Sequence, residues 1–171
     1  TAMRNLVEHF VHEHKATDIH FVKGVDGNED AEARFRAYED VLRENNIPII
    51  PERISNGDFY ITGAEKAADE IMNGVLPMPQ AIVCANDVTA ITISDILMKN
   101  GYRIPEDVMI SGYDYSVEAQ NHTPAITSVC SRFREIGSYA CEMLLKVLDG
   151  EDIPKDNYLP DEVVFDESCG C

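Results

Sequence analysis

Three short apolar runs in this 171-residue sequence are each followed, within a few positions, by polar side chains that could hold a small molecule. Ile19–Val22 leads to Asn28 and Asp30, Ala81–Ala85 to Asn86 and Asp87, and Val108–Tyr113 to Asp114 and Ser116. Arg34 lies one helical turn beyond Asp30, and Phe59 follows a fourth, proline-interrupted run. Carboxylates and amides accept from hydroxyls, a guanidinium donates, and an aromatic ring stacks on another ring. The set Asp30, Arg34, Phe59, Asn86 and Asp114 therefore suits a small polyhydroxylated or nitrogen-rich ligand. Each residue also has a local reading. Asp87 before Val88 could cap a helix, Arg34 could pair with Asp30 at i, i+4, and Phe59 could be core.

Other chemistries find less support. There is no Gly-x-Ser-x-Gly elbow, Walker loop, Gly-x-Gly-x-x-Gly or His-Glu-x-x-His. Asp87 and Asp114 could form the carboxylate pair of a glycoside hydrolase, although two acids in a groove describe a sugar binder equally well. Cys130 and His122 have no third group to orient a Cys–His nucleophile. His9, His12 and His14 cluster near the N-terminus, and His9 and His12 could share a helix face, but no third ligand stands at helical spacing. The five cysteines include no Cys-x-x-Cys, and the one close pair, Cys169-Gly170-Cys171, cannot by itself fill a tetrahedral site. The expectation is a non-enzyme with no metal and no cofactor.

Elements able to gather the polar residues are legible from periodicity. Met3, Leu6, Val7, Phe10 and Val11 predict a helix over 1–14, and later helices are expected over 31–45, 62–73, 88–100 and 132–148. Strands are expected at 19–22, 81–85, 108–113 and 126–129, with a ragged β-rich stretch at 47–54 broken by Pro48 and Pro51, and a final extended piece at 157–165. Strands alternating with helices imply an α/β fold, an open parallel sheet with helices on both faces. In such sheets ligands sit beyond the C-terminal ends of the strands, where the polar residues above are placed.

Composition narrows the partners. Fourteen Lys and Arg stand against 31 Asp and Glu, a net charge of −17, so the chain lacks the clustered cations that grip a phosphate backbone or an anionic membrane. No apolar run approaches a membrane span, and 1–14 lacks the unbroken apolar stretch of a signal peptide. An odd number of cysteines without a framework suits a reducing compartment.

Four segments in order carry a resemblance. Pro105-Glu106-Asp107-Val108-Met109-Ile110-Ser111-Gly112-Tyr113-Asp114 is similar to the hallmark segment of the lactose-repressor/galactose-repressor family of sensors. Arg34-Phe35-Arg36-Ala37-Tyr38, Ala85-Asn86-Asp87-Val88-Thr89-Ala90 and Pro124-Ala125-Ile126-Thr127-Ser128-Val129 resemble further motifs of that family. Ala37 departs from the glycine usual in the arginine motif. The resemblance implies a type I periplasmic-binding-protein-like sensor, two Rossmann-like lobes closing on an effector, here truncated at its N-terminus. It implies effector contacts by Arg34, Asn86 and Asp114, an aromatic platform at Phe59, and a polar contact at Asp30.

By that resemblance, residues 1–125 form the C-terminal lobe, 126–154 a crossover strand and helix belonging to the N-terminal lobe, and 155–171 a return strand and linker tail. The apolar face of the 132–148 helix is then expected to pack on a neighbouring copy or fold back on the lobe. A cytoplasmic homodimer is implied, pairing through the 88–100 helix and reaching DNA only through a domain outside this chain. Acceptor count favours a sugar over a purine as effector. The alternative is an exported sugar-binding protein of a transporter.

Overall fold

The computed structural model describes all of residues 1–171. Six strands form one sheet in the order β2-β1-β3-β4-β5-β6. They are β1 Ile19–Lys23, β2 Ile54–Asn56, β3 Ala81–Cys84, β4 Met109–Asp114, β5 Thr127–Cys130 and β6 Glu162–Val164. The first five pair in parallel, and β6 runs antiparallel to β5. The parallel α/β reading thus holds for all but the closing edge strand.

Alternation along the strands explains why both faces are covered. Ile19, Phe21, Ala81 and Val83 point into one core, shared with Met3, Leu6 and Phe10 of α1 (Ala2–His12) and Tyr38, Val41 and Leu42 of α2 (Glu29–Glu44). Val22, Ile82, Cys84 and Ile110 point into the other, packed by Ala64, Ala67 and Ala68 of α3 (Ile61–Asn73) and by Ala90, Ile93 and Leu97 of α4 (Asp87–Lys99). Two-faced burial is what a continuous apolar strand requires. Tyr38 is fully buried and satisfies its hydroxyl by donating to Ile19 O at 2.9 Å.

Small residues set the fit of α3. A Cβ on Gly63 would lie 2.2 Å from Gly57 O, so the helix start and the turn after β2 touch only because Gly63 carries no side chain. The β-rich stretch expected at 47–54 is shorter than the composition suggests. After Pro51 the chain makes a 3₁₀ turn, Pro51–Arg53, and β2 begins only at Ile54. Proline at 48 and 51 cannot donate to the ladder, which is the physical reason. A short helix, α5 (Val117–Asn121), occupies the polar connection between β4 and β5.

Residues 126–154 do not leave the lobe as a unit. β5 pairs with β4 from Ser111↔Thr127 to Asp114↔Cys130 and belongs to this sheet, whereas the helix after it, α6 (Phe133–Leu148), stands off. No residue of α6 is buried, and Leu144, Leu145, Val147 and Leu148 are exposed. It lies beside the returning segment around Tyr158 and Leu159, where Tyr139 donates to Asn157 Oδ1 at 3.2 Å. The expected fold-back onto the lobe does not occur.

Helices without buried side chains open at low cost. In hydrogen exchange of this chain, amides of α6 should exchange well before those of α4, which buries six residues. Equal protection in the two helices would contradict this packing.

Candidate functional site

The strand order reverses between β1 and β3: α2, which follows β1, lies on one face, and α4, which follows β3, on the other. Divergence of two adjacent crossovers opens a crevice at the C-terminal edge of the sheet. A hollow of about 170 Å³ lies there, lined by Asn28, Asp30, Arg34, Phe59, Asn86 and Asp114. All five expected residues converge on it, joined by Asn28.

Arg34 is fixed from two sides. Its Nη1 donates to Ala85 O at 2.6 Å, and its guanidinium lies 3.7 Å from the centroid of the Tyr113 ring and 5.7 Å from that of Phe59. It spans from α2 to the ends of β3 and β4 rather than pairing with Asp30 along its own helix. Tyr113, which sequence reasoning did not single out, also donates to Asp161 Oδ2 at 2.9 Å. Burial and that carboxylate push its phenol up to about 12, so it stays neutral. Only its place beside Asp114 at the end of β4 could have signalled it.

Asn86 caps α4. Its Oδ1 accepts from Thr89 N at 3.1 Å, and its Nδ2 donates to Phe59 O at 3.1 Å, which holds the Phe59 loop against the helix end. The cap expected at Asp87 therefore sits one residue earlier. Phe59 itself has φ +64, and its ring covers Gly24, where a Cβ would lie 2.1 Å from a ring carbon. Asn28 caps α2 through Ala31 N at 2.9 Å and brings Asp30 to the rim.

Asp87 is 2 % exposed and faces away from ligand duty. Its Oδ2 accepts from Ser116 N and its Oδ1 from Ser128 Oγ, both at 2.6 Å. A Cβ on Gly112 would lie 2.3 Å from Asp87 Oδ1, so the glycine at the centre of β4 is what admits the carboxylate. Both oxygens are thus engaged within the fold, and Asp87 does not line the hollow with Asp114.

Asp114 stays half-buried, accepts from Ser131 Oγ at 3.3 Å, and adopts φ +109. Burial raises its carboxyl above the ordinary aspartate range, against the opposing pull of Arg34 and Ser131. Backbone strain is concentrated on the two loops that carry Phe59 and Asp114: Asp58, Phe59, Asp114 and Tyr115 all have positive φ.

Away from this crevice, the residue near His9 is not the one that could have shared its helix face. His9 meets His14, not His12, and Cys169 and Cys171 join them.

An open, doubly wound sheet with a polar hollow at its switch point falls in the class of α/β domains that hold small ligands there. The chain belongs to the periplasmic binding protein-like domain family, which matches residues 7–169. The transcriptional repressor PurR of Aliivibrio fischeri (strain MJ11) is 30% identical over 137 residues, 80% of this chain and 41% of that protein. CytR of Escherichia coli (strain K12) is 30% identical over 128 residues, 75% of this chain and 37% of that protein. The chain thus spans about two fifths of the length of these curated relatives. Among solved structures, the Escherichia coli repressor ascG superposes with a TM-score of 0.89 at 23% identity, covering 98% of this chain and 60% of that one. The lac repressor dimer bound to operator and the anti-inducer ONPF gives 0.86 at 24% identity, covering 98% and 50%. At those identities the likeness is one of fold.

Two outcomes follow from the site's electrostatics. A carboxyl raised by folding contributes stability below its unfolded value and loses it as pH climbs through the folded one. Asp114→Asn should therefore raise the melting temperature at pH 7, with the gain shrinking as pH falls towards the ordinary value of 3.8, as followed by calorimetry across pH. Asp87→Ala strands two buried donors and should cost about 3 kcal/mol in denaturant unfolding.

Proposed function

We propose that this chain is the effector-binding portion of a transcriptional regulator, a sensor and not an enzyme. The observation that carries this reading is the convergence of Asp30, Arg34, Phe59, Asn86 and Asp114 on one hollow at the strand ends. Asp30 and Asp114 supply acceptors, Arg34 a charged donor, and Phe59 an apolar plate. That chemistry fits a ring with adjacent hydroxyls, as found on a free sugar and on the ribose of a nucleoside. A free sugar is the reading we favour, because carboxylate acceptors outnumber donors at the rim.

The hollow is shallow and open, so a second surface must close over the ligand. In this reading α6 belongs to an opposing N-terminal lobe, which accounts for its unburied apolar face. An effector bridging both lobes favours the closed arrangement by its differential affinity, and the changed lobe angle passes to partner surfaces. The outer face of α4, with Val88 exposed and Ile91 and Met98 half-buried, suits pairing of two copies. DNA would be reached through a separate domain, since a chain of net charge −17 repels phosphate. No helix is long and apolar enough to cross a membrane, and the free cysteines fit the cytoplasm, where regulators of this type work.

A thermal-shift panel of sugars and nucleosides on the full-length protein tests this. At a hundredfold excess over Kd an effector stabilises by about 2.7 kcal/mol, and the melting temperature should rise by roughly 5–10 °C. Arg34→Ala should weaken that effector roughly 10–100-fold through loss of a charged hydrogen bond. An effector whose shift survives both Arg34→Ala and Asp114→Ala would place the site elsewhere.

A further inference from the structure

The last residues of the chain are pinned before they reach the end of α1. The 3₁₀ turn Glu167–Cys169 is held by Ser168, whose N donates to Ala125 O at 2.9 Å and whose Oγ donates to Ile110 O at 2.6 Å and accepts from Thr127 N at 2.8 Å. Asp166 N donates to Thr127 Oγ1 at 2.8 Å. Cys169 is thereby buried at 1 % exposure. Gly170, at φ +83, then turns the chain so that the two thiols flanking it face the same region. Cys169 is placed by this pinned turn, where its thiol also donates to Asp166 O at 3.2 Å.

From the opposite side, α1 ends at His12 and the chain reverses through Lys15 at φ +56, closed by Ala16 N donating to Phe10 O at 3.0 Å. The reversal carries His14 back over His9. The His9 ring is stacked on Phe165, with centroids 3.9 Å apart, so the tail itself orients it. One donor atom from each of His9, His14, Cys169 and Cys171 lies within 4.8 Å of all the others.

Three edges of this cluster can be compared with those of a coordination polyhedron. His9 Nε2 and His14 Nε2 are 3.0 Å apart, and Cys171 Sγ is 3.2 Å from the first and 3.4 Å from the second. A tetrahedral Zn²⁺ with nitrogens at about 2.0–2.1 Å and sulfurs at about 2.3 Å has N···N edges of about 3.3 Å and N···S edges of about 3.6 Å. Hydrogen bonding accounts for the triangle poorly. Each Nε2 has a single in-plane lone pair or N–H, and here it has two partners within 3.4 Å. A cation among the four donor atoms would give each of them a single shared partner. The His-x₄-His spacing falls within that of known zinc pairs, although the cysteines are separated by only one residue.

We propose that His9, His14, Cys169 and Cys171 form a closed, structural Zn²⁺ site that fastens the C-terminal tail to the end of α1. Two thiolates and two imidazoles in a tetrahedron select zinc over magnesium, calcium or manganese. Four protein ligands leave no open position for substrate, so the role is a clasp. It links the first helix to the last turn, on the far side of the lobe's sequence, and the two thiols release their protons to solvent on binding.

The test uses the 171-residue chain purified under reducing conditions without chelator or a metal-affinity column. Elemental analysis should find one zinc per chain. Replacement by Co²⁺ should give intense ligand-field bands of tetrahedral coordination and a thiolate-to-metal charge-transfer band. Cys171→Ser and His14→Gln should each lose the bound zinc and lower the melting temperature while circular dichroism stays native, and Cys141→Ser should change neither. Zinc content unaffected by Cys171→Ser and His14→Gln, a cobalt spectrum without the thiolate band, or a Cys169–Cys171 disulfide persisting in reductant would each overturn the proposal.

Discussion

A buried carboxylate holds the functional edge of this lobe together. Asp87 sits where β3 becomes α4, and its two oxygens reach the loop after β4, through Ser116 N, and strand β5, through Ser128 Oγ. Burial raises it above the ordinary aspartate range in spite of those two donors. A carboxyl in such a place is tolerated because both of its oxygens find donors and the packing around it is close. Gly112 provides the closeness, since any side chain there would collide with the carboxylate. Three consecutive strand ends are therefore registered to one another by one residue that never faces the hollow.

Its neighbour does the corresponding work on the other flank. Asn86 uses its oxygen to cap α4 and its amide to hold Phe59 O, so the loop after β2 is tied to the loop after β3. Arg34 completes the frame from α2, anchored on Ala85 O and the Tyr113 ring. The capping reading and the ligand reading of Asn86 are thus compatible. A residue that caps a helix at a sheet's switch point is also a residue at the mouth of the crevice. Arg34 likewise keeps donors beyond the one given to Ala85, because a guanidinium carries five.

The far side of the sheet is organised by the tail. β6 joins antiparallel, the Ser168 hydroxyl bridges β4 and β5, and the final turn arrives at the C-terminal end of α1. A lobe whose first helix and last turn meet is closed on itself, and the zinc clasp would make that closure a bond. α6 is the one element excluded from this economy of contacts. Its apolar face lies outside both cores, in contrast to α4, whose side chains are divided between the core and a half-buried outer face.

Periodicity alone determined the α/β class, the helices and the apolar strands, because alternation and 3.6-residue spacing are local consequences of which face is buried. It also placed Asp30, Phe59, Asn86 and Asp114 beyond strand ends and Arg34 early in the helix after β1, since a parallel sheet sends all its C-terminal loops to one edge. The start of β2 and the antiparallel edge were not legible, for pairing direction and a proline's effect depend on the neighbouring strand. Nor was the division of labour between Asn86 and Asp87, nor the part of Tyr113, because these turn on hydrogen bonds between loops distant in sequence. The four-residue cluster shows the difference most plainly. His9 and Cys171 stand at opposite ends of the chain, no spacing rule connects them, and only the folding of the tail across β4 and β5 brings their side chains together.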